Sequence, residues 1–148
     1  MATNDLEAVV IGAGWAGEGH TRALQHAGVH VHTICARQMD VVRAVAERLK
    51  VPNASVDWRT TLSTVKPDIV ALATPASLRR PVIEAAASLG CHVLCDKPLA
   101  VDARDARVLL DLVEGAAVRH AYAATGGYHP NVAWVAELLA DGAVGEVR

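Results

Sequence analysis

The sequence predicts an α/β fold, a doubly wound parallel sheet, and three observations carry that prediction. Apolar runs alternate with amphipathic stretches from the first residues onward, and glycines or capping residues stand at the joints between them. The run "IVALA" (69–73) is apolar at every position, as expected of a strand buried on both faces. No internal repeat, low-complexity tract or long linker interrupts the series.

Taken in order, "LEAVVI" (6–11) reads as a first strand, and "WAGEGHTRALQHA" (15–27) as a helix closed by Gly28 in a left-handed conformation. "VHVHTICA" (29–36) is a second strand. In "MDVVRAVAERLK" (39–50), Val42, Val45, Ala46 and Leu49 fall at i, i+3, i+4 and i+7, which is one apolar helical face. "ASV" (54–56) gives a short third strand, and Asp57 caps a brief helix through "WRTTLSTV" (58–65). The "KPD" turn leads into 69–73, placed as a central strand. After "TPAS" a helix runs to Leu89, with Pro81 tolerable only near its first turn and Gly90 ending it. "CHVLC" (91–95) is a fifth strand, Asp102 caps a helix over 103–115, 117–124 is a sixth strand, and a last helix spans about 131–140.

With 52% hydrophobic and 20% charged residues, a formal net charge of −2 and no apolar run long enough to cross a bilayer, the chain reads as a globular domain without a membrane span. The opening residues lack the basic region of a signal peptide, so a cytoplasmic location is the expectation. Dispersed Lys and Arg with only three Trp and two Tyr give neither a phosphate-tracking patch nor a stacking platform, which argues against a nucleic-acid partner. Cys35, Cys91 and Cys95 fall in predicted strands as packed thiols. No metal site is expected: Cys91 and Cys95 have poor zinc spacing, and His30 and His32 share a strand face without a convergent third ligand. His20 and His129 are read as structural or exposed, and no Ser-His-Asp or Cys-His arrangement can be assembled.

"VVIGAGWAG" places Gly12, Gly14 and Gly17 in the G-x-G-x-x-G spacing where the first strand meets the first helix. Gly12 permits the tight turn, Gly14 lets backbone approach a pyrophosphate, and Gly17 lets helix pack on strand, the signature of a Rossmann dinucleotide site. The free N–H groups of the helix start, at Trp15 and Ala16, face the phosphates, with the Trp15 ring packed on a neighbouring loop. About 20 residues past Gly17, where NAD-specific sites carry a ribose-binding acid, stands Arg37. A planar cation there suits a 2′-phosphate, so NADP is favoured with NAD as the alternative. The acidic ribose ligand that an S-adenosylmethionine-dependent methyltransferase would need is missing at that position.

Ligands of open parallel sheets bind beyond the carboxyl ends of the strands, where "ATPAS" and "CDKPLA" lie. Lys97 would therefore face the nicotinamide end of a cofactor. Its ammonium is suited to bonding a carbonyl oxygen that gains hydride, or to helping remove the hydroxyl proton in the reverse direction. Asp96 is placed to hold the lysine or to contact the nicotinamide ribose, and Pro98 stiffens the exit.

"VVIGAGWAGEGH", "ALATPASLRRPVIEAAASLGCHVLCDKPLA" and "AELLADGAVGEVR" together resemble the Gfo/Idh/MocA oxidoreductase family, named for glucose-fructose oxidoreductase and inositol dehydrogenase. The likeness spans nearly the whole chain. It implies an NAD(P)-dependent oxidoreductase acting on a sugar, polyol or related carbonyl compound, with a catalytic lysine at Lys97 and a cofactor-side turn at Thr74 and Pro75. Asp96 stands where the family has glutamate, Ala76 and Arg79 where it often has asparagine and histidine, and Gly127 where an arginine is frequent. Family members continue into an open-sheet domain that supplies substrate contacts and commonly the subunit interface. The resemblance thus divides the chain into a dinucleotide-binding domain (1–121) and the start of a substrate and oligomerisation domain (122–148). It implies a homo-oligomer for a full-length protein and exposed apolar surface near residue 148. A non-catalytic nucleotide-binding module is the competing expectation.

Overall fold

A computed structural model describes residues 6–146. Six strands, β1 (Glu7–Ile11), β2 (His30–Cys35), β3 (Asn53–Ser55), β4 (Ile69–Leu72), β5 (His92–Asp96) and β6 (His120–Ala123), form one sheet in the order β3-β2-β1-β4-β5-β6. Every neighbouring pair is parallel. The expected doubly wound Rossmann topology is present, and strand order reverses between β1 and β4. The helices are α1 (Trp15–His26), α2 (Met39–Arg48), α3 (Trp58–Val65), α4 (Arg80–Ser88), α5 (Ala103–Gly115) and α6 (Pro130–Ala140), with 3₁₀ turns at Ala76–Leu78 and Thr125–Tyr128.

The period-two alternation of β1 and β4 builds two cores. Val9, Ile11, Val70 and Leu72 join Leu62, Val82, Ile83 and Leu109 on one face, whereas Ala8, Val10 and Ala71 join Leu24, Ile34, Val42 and Val45 on the other. Val70, Ala71 and Leu72 are fully buried, which is why 69–73 reads as an unbroken apolar run. Each buried Val or Leu contributes about 1.5–3 kcal/mol relative to an exposed one. The three cysteines are buried free thiols.

Most element ends follow local chemistry. Asp57 accepts N–H bonds from Arg59 and Thr60 at the start of α3, and Asp102 accepts one from Asp105 at the start of α5. Gly28 and Gly90 have the expected positive φ, at 81° and 75°. Two strand readings shift. β3 begins at Asn53, whose side-chain amide donates to the His32 carbonyl at 2.9 Å, so pairing with β2 starts one residue early. β6 is limited to His120–Ala123, since it pairs only with β5.

Past β6 the chain buries little. α6 contains no buried residue, and Trp134, Val135, Leu139 and Tyr128 stay exposed, which meets the expectation of apolar surface near residue 148. No helix among the described residues is long and apolar enough to cross a membrane.

The glycine turn packs backbone on backbone. Gly12 adopts φ +121°, and a Cβ there would lie 2.7 Å from the Ala73 carbonyl oxygen. A Cβ on Gly17 would fall onto the Gly12 carbonyl, whereas one on Gly14 would meet nothing within 4 Å. Gly17→Ala is therefore expected to destabilise the fold by at least about 2 kcal/mol, whereas Gly14→Ala changes stability by less than about 0.5 kcal/mol. Chemical denaturation of the two variants checks the contrast; equal losses would contradict this packing.

Candidate functional site

A cleft of about 780 Å³ opens over the carboxyl ends of β1, β2 and β4, at the reversal of strand order. Gly12, Gly14, Arg37, Thr74 and Pro75, each singled out in the sequence, are among the residues that line it. Backbone bonds set the strand ends around it: Gly12 N–H donates to the Cys35 carbonyl and Ala73 N–H to the Ile11 carbonyl, both at 2.8 Å. Gly14 is the N-cap of α1 and has no side chain to bond the first-turn N–H groups. Those donors remain available to an anion beside the cleft.

Ala16 and Gly17 sit behind the lining in the first turn of α1, and Gly17 is buried. The Trp15 ring does not pack on a neighbouring loop: it is 91% exposed, because its position at the start of α1 projects away from both cores. Only its backbone remains suited to a phosphate. Cys35 also lines the cleft, and burial pushes its thiol up to about 11 against the opposing pull of the nearby Thr61 and Ser55 hydroxyls, so it is not a nucleophile at neutral pH.

At the β2 end, Arg37 is exposed and pairs with no carboxylate among the described residues. Arg59 reaches the same wall from the start of α3, with its guanidinium 4.3 Å from the centre of the Trp58 ring. Sequence reading overlooked Arg59. Its only signal was a basic residue two positions after the Asp57 cap, which does not say where β3 lies relative to β2.

At the other end, Asp96 closes β5 and Lys97 follows it, both outside the cleft lining, and the Lys97 side chain is exposed. Asp96 Oδ1 accepts the Lys97 backbone N–H at 2.8 Å, so the carboxylate holds the lysine's backbone. The Lys97–Pro98 peptide is cis. His20, read from sequence as structural or exposed, projects from α1 to place Nε2 3.9 Å from Asp96 Oδ1. Burial holds its imidazole below the usual range, with Asp96 pulling up and Arg79 pulling down, so His20 is neutral at pH 7. Sequence reading also missed Arg79, noted only as a departure; it is 2% exposed and bonded to both strand-end turns.

These groups fit a nicotinamide dinucleotide. The uncapped helix start and the open space at Gly14 suit a pyrophosphate, and the arginines suit the adenosine end. The Thr74 hydroxyl is buried at the β4 end with no hydrogen-bond partner among the described residues, an orphan that a ligand would satisfy. Among the described residues no cluster of three metal-ligating side chains occurs.

Residues 6–123 match the sequence profile of the Gfo/Idh/MocA group, described as an oxidoreductase family with an NAD-binding Rossmann fold. The chain is 27% identical to levoglucosan dehydrogenase of Pseudarthrobacter phenanthrenivorans over 97% of its own length and 39% of the relative's. It is 33% identical to D-xylose 1-dehydrogenase (NADP(+)) 2 of Haloferax volcanii, covering 80% of this chain and 36% of that one. An Agrobacterium radiobacter oxidoreductase crystallised with NAD+, L-tartaric acid and magnesium shares the fold with a TM-score of 0.87 at 23% identity, over 96% of this chain and 42% of that one. The chain thus spans about two fifths of the length of the curated relatives it matches. By its strand order, its glycine turn and this match over most of its length, the chain belongs to the Gfo/Idh/MocA oxidoreductase family, of which it carries the NAD-binding Rossmann domain.

Proposed function

We propose that this chain is the cofactor-binding part of an NADP-dependent oxidoreductase that moves hydride between the nicotinamide and a sugar, polyol or related carbonyl compound. The observation that carries the reading is the cleft itself: a glycine turn with an uncapped helix start at one wall and Arg37 at the end of β2. The dinucleotide-binding domain expected over 1–121 runs on to the end of β6 at Ala123, whose last two residues still pair with β5, and the segment after it begins a second domain that completes the substrate pocket; the exposed apolar face of α6 supports that division. The dehydrogenase names of the relatives, for levoglucosan and D-xylose, support a polyhydroxylated substrate.

When bound, the cofactor supplies or accepts the hydride; the chain's own groups bind and orient. Gly12 and Gly14 leave room for the phosphates and the first turn of α1 donates N–H bonds to them. Arg37, with Arg59 across the same wall, receives the 2′-phosphate. Thr74 and Pro75 form the wall nearest the nicotinamide, Asp96 fixes the backbone of the lysine turn, and the Lys97 ammonium is the proton donor to the substrate oxygen. A binding module without catalysis is the second reading, favoured by the short span relative to the relatives. Titration with NADPH and a turnover panel of aldoses and polyols separates the two: binding without turnover in this chain supports a cofactor domain that needs its second half, and no binding of either nicotinamide nucleotide sinks both.

The wild-type chain is expected to bind NADPH more tightly than NADH. Arg37→Asp should weaken NADPH about 10- to 100-fold and reverse the preference, as loss of a charge-assisted phosphate contact requires; an unchanged ratio in fluorescence titration would refute the role of Arg37. In the enzyme carrying this domain, Lys97→Met should lower turnover about 10²- to 10⁴-fold, the range for loss of a general acid, with cofactor affinity nearly unchanged. Steady-state rates alongside NADPH titrations read that split, and retained turnover would remove Lys97 from the chemistry.

A further inference from the structure

We propose that Arg79 is a positioning residue that ties the Lys97 turn to the Thr74 turn, so that the lysine stands at a fixed place relative to the cofactor cleft. The proposal rests on the reading of Lys97 and the cleft given above. Arg79 sits between the 3₁₀ turn Ala76–Leu78 and the first turn of α4, and its side chain runs along the carboxyl edge of the sheet. It is the largest fully buried side chain of the described residues, at 2% exposure. Its Nε donates to the Thr74 carbonyl at 2.8 Å, at the end of β4. Nη1 donates to the carbonyls of Asp96 and Pro98, and Nη2 to that of Lys97 at 3.3 Å. One guanidinium therefore holds three consecutive carbonyls of the lysine turn and one carbonyl of the cofactor-side turn.

No carboxylate pairs with Arg79 among the described residues. Burying a guanidinium is costly unless its donors are met, and here backbone carbonyls meet them. An apolar side chain would fill the space without that cost, so packing alone gives no reason for an arginine. What the guanidinium adds is geometry: donors in a rigid planar fork, unlike the single nitrogen of lysine, reach two turns at once. The consequence falls on Lys97, whose exposed side chain has no packing of its own to locate it. Its backbone is fixed from one side by the Asp96 carboxylate and from the other by Arg79. Misplacement of a reacting group by about 1 Å is enough to slow a reaction about 100-fold.

The test begins on the wild-type chain, where the side-chain Nε–H of Arg79 should exchange with solvent at least about 10-fold more slowly than those of the exposed Arg37 and Arg59. Equal rates would overturn the proposal without any variant. Arg79→Lys is then compared with wild type after labelling lysine amines with ¹³C-methyl groups, following the Lys97 signal as NADPH is added. Expected is NADPH affinity within about 3-fold of wild type, a Lys97 response to NADPH that is lost, and amide exchange at Lys97 and Leu99 about 10-fold faster. A purely structural role would lower the melting temperature and leave the Lys97 response of the bound form intact, which refutes positioning. Loss of NADPH binding in Arg79→Lys alone would likewise refute it, by placing Arg79 in the cofactor site. If wild type binds no nicotinamide nucleotide, the functional reading fails, while the arginine and amide exchange rates still decide whether Arg79 holds the turn. If Arg79→Lys does not fold, the wild-type Nε–H rate decides alone.

Discussion

Everything at the carboxyl edge of this sheet depends on how closely three backbone segments approach. Gly17 in α1 lies against the Gly12 carbonyl, and Gly12 in turn lies against Ala73 at the end of β4. With no Cβ in the way, α1 starts directly over the sheet, and its uncapped N–H groups come to the cleft rather than to solvent behind it. The same contact brings the end of β1 beside the end of β4, where strand order reverses and a crevice must open. Fold and cleft are therefore one constraint: a side chain at Gly17 would push the helix off the strand and close the space that a dinucleotide needs.

The polar groups around that edge are arranged by a second requirement, that strand-end carbonyls and N–H groups find partners where the ladder stops. On the β1 and β2 side backbone groups bond one another, Gly12 to Cys35 and Ala73 to Ile11. At the end of β5, where Asp96 is the last residue in register with β6, a buried arginine takes the carbonyls of 96–98. Two adjacent carboxyl ends are thus finished by different means. The first leaves a turn of bare backbone suited to phosphates; the second leaves a turn organised by side chains around one exposed lysine. Thr74 belongs to both, with its carbonyl bonded to Arg79 and its hydroxyl buried without a partner among the described residues.

What was legible in the sequence was what is local. The span of α3 and its Asp57 cap, and the span of α5 with Asp102, follow from a side chain two or three residues from its partner. The two-sided burial of β4 follows from an uninterrupted apolar run, and the glycine turn from a spacing within six residues. That Arg37 lies at the cleft is legible because the distance from a glycine turn through one helix and one strand is nearly fixed. Arg79 and His20 are not legible in the sequence, since each acquires its partner from a distant segment: Arg79 reaches 16 to 19 residues along the chain, into the end of β5 and its turn, whereas Arg59 stacks on its neighbour Trp58 and meets the cleft only through the placement of α3. The Trp15 ring was misjudged for a related reason. Its large apolar area favours burial on average, but the first residue of a helix that starts over a cleft has no packed layer above it.

The two ends of the cleft differ in how much of their chemistry this chain supplies. Around the cleft, groups from the ends of β1, β2 and β4 and from α3 and α4 already converge, with the backbone N–H groups of Gly12, Ala36 and Ala73 bonded to neighbouring strand ends. At the lysine end only the β4 and β5 turns and α1 contribute, and the side chain that carries the charge is exposed. Residues 120 to 146 follow from there, and they set Tyr122, Trp134, Val135 and Leu139 on the surface. A helix whose apolar residues find no core is stable in water only with a partner for that face. That face belongs to the segment that leaves the sheet through β6, the strand paired with β5, whose end carries the lysine turn. The lysine end is thus fixed at its backbone, by the Arg79 guanidinium and the Asp96 carboxylate, while the Lys97 side chain itself stands exposed.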